Sequence, residues 1–360
     1  MAKRPRKRGV LKGNTLYFDQ REWKLISNVS RAWTIRDLAR HAKMPYSTAN
    51  KVLARVKEKA IFKFRIKMQE VGLVPLIVLL KKDLKFTPPP YTLSVKRLKG
   101  VKSLVAVTAL LPPTYVNDYV NALNEEPVSI VVGYELHHWY PDPVFNIYDE
   151  KTGTLQPRFA FEETSKLYSG PVDRWMGPLR SPDKIDLAII SMKMSDPFMR
   201  PSEVFDLARN LDPELPKLST QALSYHTVHH VKERYWENNA ANIRIDETQV
   251  PVRFFYLEGD KAPMVARMFV KLPGFHYAVI DINKAVVIGQ PLAFYFEHLY
   301  NALSEYGVEM PLGELIISRQ EVQRYVPTLW KFIERKRWVF NRDVMPMKAD
   351  GTIFEKIDLP

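Results

Sequence analysis

Three short segments of this chain occur twice, in the same order and at nearly constant separation. Asp37-Leu38-Ala39-Arg40 returns as Asp206-Leu207-Ala208-Arg209 and Val56-Lys57-Glu58-Lys59 as Val231-Lys232-Glu233-Arg234. Asn121-Ala122-Leu123 returns as Asn301-Ala302-Leu303, and the three offsets are 169, 175 and 180 residues. One such match is chance; three in order imply that a single set of elements was laid down twice. The 360 residues suffice for several small domains, so each half is expected to hold the same pair of units.

Charge is segregated along the chain. Residues 1–67 hold 19 Lys and Arg against four acidic residues, Asp19, Glu22, Asp37 and Glu58, a net +15; the whole chain is +13, so the other 293 residues sum to −2. A polyanion-binding segment attached to near-neutral units has this footprint. Its first part, Lys3-Arg4-Pro5-Arg6-Lys7-Arg8-Gly9, resembles an extended arm that lays Arg side chains in a narrow minor groove. Nuclear import signals look the same.

After the arm, periodicity predicts three helices. Trp23, Leu25 and Ile26 supply the apolar positions of the first. Ile35, Leu38, Ala39 and Ala42 repeat at helical spacing behind Thr34, the predicted N-cap, and Lys43-Met44-Pro45 makes a break. In 46–58, Ala49, Val52, Leu53 and Val56 fall at i, i+3, i+4 and i+7, which leaves Ser47, Asn50, Lys51, Ala54 and Arg55 on the opposite face. Such a helix is about 20 Å long, enough to lie in a major groove about 12 Å wide. Residues 62–68 then alternate Phe62, Phe64, Ile66 and Met68 with Lys63, Arg65 and Lys67, a strand whose outer face is cationic. Three helices and a basic ribbon describe a winged helix-turn-helix. The expected DNA contacts are Lys3, Arg4, Arg6, Lys7 and Arg8 of the arm, Ser47, Thr48, Asn50, Lys51 and Arg55 of the third helix, and Lys63 and Arg65 of the wing.

The run from Thr48-Ala49-Asn50-Lys51-Val52-Leu53-Ala54-Arg55-Val56 to Ile61-Phe62 resembles the recognition helix of the Lrp/AsnC family of prokaryotic, especially archaeal, transcription regulators, with Asp37-Leu38-Ala39 matching the second helix of that motif. Ala60 stands where the family usually has Gly. The resemblance implies a βαββαβ, ferredoxin-like module after the DNA-binding unit. The elements predicted after the wing are strand 74–80, helix 91–99, strand 104–111, helix 115–124 and strand 128–136. Gly72-Leu73 and Gly100-Val101 also resemble the family, whereas the Gly-Asp turn through which some relatives bind amino acids is missing. An amino-acid effector is therefore not carried over from the resemblance.

The fold class expected is α+β, a winged helix-turn-helix plus a ferredoxin-like (βαββαβ) module, repeated twice in tandem. Its parts are a disordered basic arm (1–14), a winged helix-turn-helix (15–69), a ferredoxin-like module (70–145), a Pro-rich connector (146–180), a second, less basic helix-turn-helix (181–247), a second module (248–319), and a C-terminal helix and tail (320–360). The second module is predicted from 252–257, 263–271, 277–282, 294–304 and 314–318. In 320–340, Val322, Val326, Leu329, Trp330, Ile333 and Trp338 form the apolar stripe of the predicted helix. The family dimerises through its sheet modules, so two modules in one chain imply an internal pseudo-dimer.

The two copies differ. Residues 181–246 hold eight basic and ten acidic residues, so the second unit is expected to keep the fold and lose most non-specific DNA affinity, which depends on neutralising phosphates. His226 and His230, and His229 and Glu233, are spaced for one helical face, and His137-His138 with Asp142 sits at a strand end; a transition metal can use such spacings. No third ligand is identifiable from sequence, and no metal is assigned.

Cysteine is absent, which excludes thiolate zinc sites, redox pairs, cysteine nucleophiles and a disulfide framework. The longest clean apolar run, 71–80, is about half a membrane span. There is no phosphate-binding Gly-Lys loop, no nucleophile elbow and no His-x-His pair for a relaxase-type nuclease, whose nucleophile would be Tyr225 or Tyr235. The reading is therefore a non-enzymatic, cofactor-free, cytoplasmic and nucleoid-associated protein. Its partners are double-stranded DNA and other regulatory proteins, not a membrane. A protein-interaction adaptor is the alternative, with the nuclease behind it.

Overall fold

The computed structural model describes residues 10–81, 83–84, 87–177 and 182–349; the basic arm's Lys3, Arg4, Arg6, Lys7 and Arg8 lie outside them, as does the end of the tail. The first unit contains the three helices α1 (Gln20–Ile26), α2 (Ile35–His41) and α3 (Tyr46–Val56), followed by strand β1 (Ala60–Ile66). Asp19 caps α1, accepting from the Arg21 and Glu22 amides while Glu22 accepts from the Asp19 amide, and Thr34 caps α2 with Asp37 returning the bond. Each cap satisfies amides that the first turn leaves without partners. The α2–α3 turn is closed by Lys43 in the left-handed region (φ 51°).

After β1 come β2 (Val74–Leu80), β3 (Thr92–Lys99), β4 (Leu104–Leu111), helix α4 (Val116–Ala122), β5 (Pro127–Val132) and β6 (Glu135–His138). A second set of helices follows: α5 (Lys184–Lys193), α6 (Pro201–Leu211) and α7 (Thr220–Tyr225), which runs on as a π-helical stretch over His226–Tyr235 into β7 (Trp236–Ile243). The chain then forms β8 (Val252–Glu258), α8 (Ala262–Phe269), β9 (Phe275–Ile280), β10 (Lys284–Gly289), α9 (Phe296–Tyr306) and β11 (Glu314–Arg324).

Nine strands form one antiparallel sheet in the order β5-β2-β4-β3-β11-β8-β10-β9-β6. Within each half the order is fourth, first, third, second, and the halves join through β3 and β11, with Leu98 opposite Ile317. The sheet curls. Its two end strands, β5 and β6, are consecutive in the chain and meet at Gly133, where an added Cβ would lie 2.6 Å from side-chain carbons of Pro75 and Val279. Inside the curl, Ile77, Leu79, Leu98, Ala106, Phe254, Tyr256, Val279 and Val286 form one buried cluster. Among the described residues β1 and β7, the strands that follow the two helical units, pair only with each other, from Ala60 opposite Ile243 to Ile66 opposite Trp236.

The second half has the expected βαββαβ order. The first half departs from it, because residues 91–99, expected as a helix, are strand β3. Ladders to β4 and β11 satisfy its backbone on both edges, and such neighbours override weak local propensity. Residues 128–136, read as one strand, are two, broken at Gly133. Residues 320–340 form no helix: β11 ends at Arg324, and Leu329–Phe332 makes a short 3-10 turn before a two-residue hairpin. Their apolar stripe nevertheless packs as expected, with Val326, Leu329, Trp330, Ile333 and Trp338 all buried. Asn146–Asp149 and Thr154–Pro157, within the connector, pair with each other and join the strand Thr15–Tyr17 in a small sheet.

The cores are crossed. Leu25, Val52, Leu53 and Phe62 of the first helical unit share a cluster with Phe255, Met268, Phe269 and Leu299 of the second half. Leu187, Ile190, Val204 and Val231 of the second unit share one with Leu76, Val107 and Tyr119 of the first half. No helix among the described residues is long and apolar enough to cross a membrane.

Candidate nucleic-acid interface

The periodicity of α3 places its side chains as expected: Ala49, Val52, Leu53 and Val56 are buried, whereas Ser47, Asn50, Lys51, Ala54 and Arg55 are exposed and Thr48 is half-buried. The side chains of Asn50 and Lys51 are exposed and make no hydrogen bond or ion pair among the described residues, so both can reach outward. Arg55 is drawn back toward the cap of α1, 3.2 Å from Asp19 Oδ2. Beside the start of α3, Arg21, Lys24, Lys43 and Thr48 line an open groove with Trp23 and Tyr148, whose rings stack at 4.9 Å. Arg31, Arg36 and Arg40 are also exposed on this unit, and Arg40 pairs with Asp37 at 2.7 Å.

One cation of the unit points inward. Lys59 Nζ lies 2.6 Å from Glu22 Oε2, and both side chains are almost wholly buried. This pair fixes the end of α3 to α1 and with it the presentation of the exposed face.

The wing is corrected by the structure. Among the described residues β1 has no hairpin partner of its own; β7 lies beside it, and the face expected to be cationic and outward is turned against the rest of the molecule. Lys63 is buried, and Arg65 donates to Glu237 at 2.9 and 3.0 Å and to the Leu136 carbonyl at 3.0 Å. Burial pulls the Arg65 guanidinium below its ordinary value, against the Glu237 carboxylate. Neither residue is free to meet a phosphate; Lys67, just past the strand, is exposed.

His137 and His138 do not form a joint site, because consecutive strand residues point to opposite faces. His137 is hydrogen-bonded to Glu135 at 2.8 Å, whereas His138 is buried, which holds its imidazole well below the ordinary range. Asp142 accepts from the Val144 amide. On the second unit, His229 is exposed beside Glu233, while His226 and His230 converge on Asp186. Sequence reading missed Asp186. Asp183 and Asp186 look like the cap and first turn of an apolar helix, and Asp183 does cap α5; only the tertiary packing brings them to the histidines. Tyr225 is exposed next to these rings and Tyr235 is buried.

No family model matches the sequence, and no curated protein and no solved structure matches it.

Proposed function

We propose that this protein binds double-stranded DNA as a transcription regulator or chromosome-organising protein, with α3 entering the major groove and the basic arm following the phosphates. The observation that carries this reading is the exposed face of α3, where the side chains of Asn50 and Lys51 stand without partners among the described residues, in the part of the chain that holds all of its net positive charge. An exposed amide and an ammonium early on a third helix are the groups that reach base edges.

The Lrp/AsnC-like reading and the duplication belong to the same proposal. The repeated segments fall on corresponding stretches: Asp37 to Arg40 on α2 and Asp206 to Arg209 on α6, Val56 as the last residue of α3 and Val231 within the π-helical continuation of α7, each shortly before a strand, and Asn121 and Asn301 on α4 and α9. Both halves share one strand order. This supports an internal pseudo-dimer in which the β1–β7 ribbon and the β3–β11 ladder take the place of a two-chain interface. The second unit lacks the charge of the first, so the preferred site is a poor palindrome, read closely on one side and tolerated on the other.

Fluorescence anisotropy of a labelled duplex at a series of salt concentrations tests the proposal. Five or six neutralised phosphates give a slope of log K against log salt of about −5. A slope near zero, or no binding at low salt, removes the DNA reading and leaves the adaptor.

A further inference from the structure

The second helical unit contains a cluster that DNA binding does not use. Asp183 and Asp186 stand at the start of α5, and His226 and His230 lie four residues apart on the π-helical continuation of α7, their ring centroids 4.9 Å apart. His226 Nδ1 is 2.9 Å from Asp186 Oδ1 and 3.7 Å from Asp183 Oδ2, and His230 Nδ1 is 3.1 Å from both Asp186 oxygens. All four donor atoms lie within 4.8 Å of one another.

These separations suit an ion. Bonds of about 2.0–2.2 Å to N and O donors in tetrahedral geometry put neighbouring donors roughly 3.4 Å apart, close to the spacing already present. Asp186 is buried with its side chain only 4% exposed, and among the described residues it pairs with these two imidazoles and with no lysine or arginine. A buried carboxylate needs compensating charge, which a cation held by the same four groups supplies. The π-helix is a second, independent mark: runs of this kind are rare and recur at functional sites. Two imidazoles with two carboxylates select a first-row divalent ion of the zinc class, because calcium and magnesium prefer all-oxygen shells of six or more ligands.

We propose that Asp183, Asp186, His226 and His230 bind one such ion, bolting the third helix of the second unit to the start of its first. Four protein donors make a closed site, the structural rather than the catalytic arrangement. The histidines are 16% and 18% exposed, so the ion enters from solvent without unfolding. The site does not depend on the DNA reading and stands or falls separately.

The test is titration of cobalt(II) into chelator-treated, full-length protein. The expected result is saturation at one equivalent with the intense visible absorption of a four-coordinate centre, bleached by an equivalent of zinc. His230→Ala and Asp186→Asn should weaken binding by more than the roughly 10- to 100-fold that loss of an outer partner costs, with circular dichroism checking their fold; exposed His229→Ala should leave it unchanged. Absence of stoichiometric cobalt binding by the unaltered protein would show a hydrogen-bonded cluster only and overturn the proposal. So would binding that survives a folded His226→Ala/His230→Ala double variant.

Discussion

At the scale of the residue, α3 separates what the chain makes legible from what it hides. Its buried and exposed faces follow from 3.6-residue periodicity within eleven residues, a local matter that any helix of this pattern settles. If Asn50 and Lys51 read bases, Asn50→Ala or Lys51→Ala should each weaken binding to the preferred duplex by about 1–3 kcal/mol and to random DNA by less, as competition anisotropy would reveal. Equal losses on both would reduce them to phosphate contacts. The Glu22–Lys59 pair was not legible, since nothing in a run of surface-type charges says which ammonium turns inward. Glu22→Ala strands Lys59 in the core and should cost about 3–5 kcal/mol, whereas Glu22→Leu with Lys59→Met should cost only about 1 kcal/mol, the loss of the capping bond to the Asp19 amide. Urea denaturation of the three proteins distinguishes a buried, compensated pair from a surface one, for which all changes would stay near zero. Lys63 and Arg65 were misread for a related reason: alternation identifies the strand, but whether a face meets solvent is decided by remote segments, for Arg65 the Leu136 carbonyl of β6 and Glu237 of β7, 71 and 172 residues away in the chain.

At the scale of the element, reading succeeded where an element's partners are sequence neighbours and failed where they are remote. The helices of the first unit and five elements of the second half emerged from pattern; strand β10 (Lys284–Gly289) was not among them, and the full βαββαβ order was expected only from the family resemblance. Strand β3 did not, because its two ladders come from β4 and from β11, more than 200 residues on, and Leu93, Val95 and Leu98 fit either period. The same holds for residues 320–340, whose apolar side chains pack without a helix. Gly133 is the element-scale feature most open to test. A methyl group there meets Pro75 and Val279 side-chain carbons at 2.6 Å and the Pro75 carbonyl oxygen at 3.0 Å, on both sides of the closing point. Gly133→Ala should therefore destabilise the fold by about 1–3 kcal/mol, the usual cost of overpacking, read as a lowered denaturation midpoint with unchanged slope. An unaffected midpoint would mean that the two end strands of the sheet are not held together there.

At the scale of the whole molecule, the crossed cores make the halves interdependent. The first helical unit buries its apolar face with α8 and α9 of the second half, the second unit with the sheet of the first, and three ladders, β1–β7, β3–β11 and β6–β9, run between them. Thermal unfolding followed by near- and far-ultraviolet circular dichroism should therefore give one coincident transition. Residues 10–177 and 182–349 should form a soluble one-to-one complex only when produced together; a first fragment with its own cooperative transition would show independent halves. The order of strands has one more consequence. Val74–Leu80 and Leu104–Leu111 are buried at every position, segments of the kind that template amyloid when left at a rim. In the finished sheet they are flanked on both sides, and the ends are given to short strands with Ser129 in one and Glu135 and His137 in the other. During synthesis, though, Val74–Leu80 leaves the ribosome almost fifty residues before β5 exists to cover its open edge, so the hazard of misassembly belongs to the nascent chain and ends when the sheet closes.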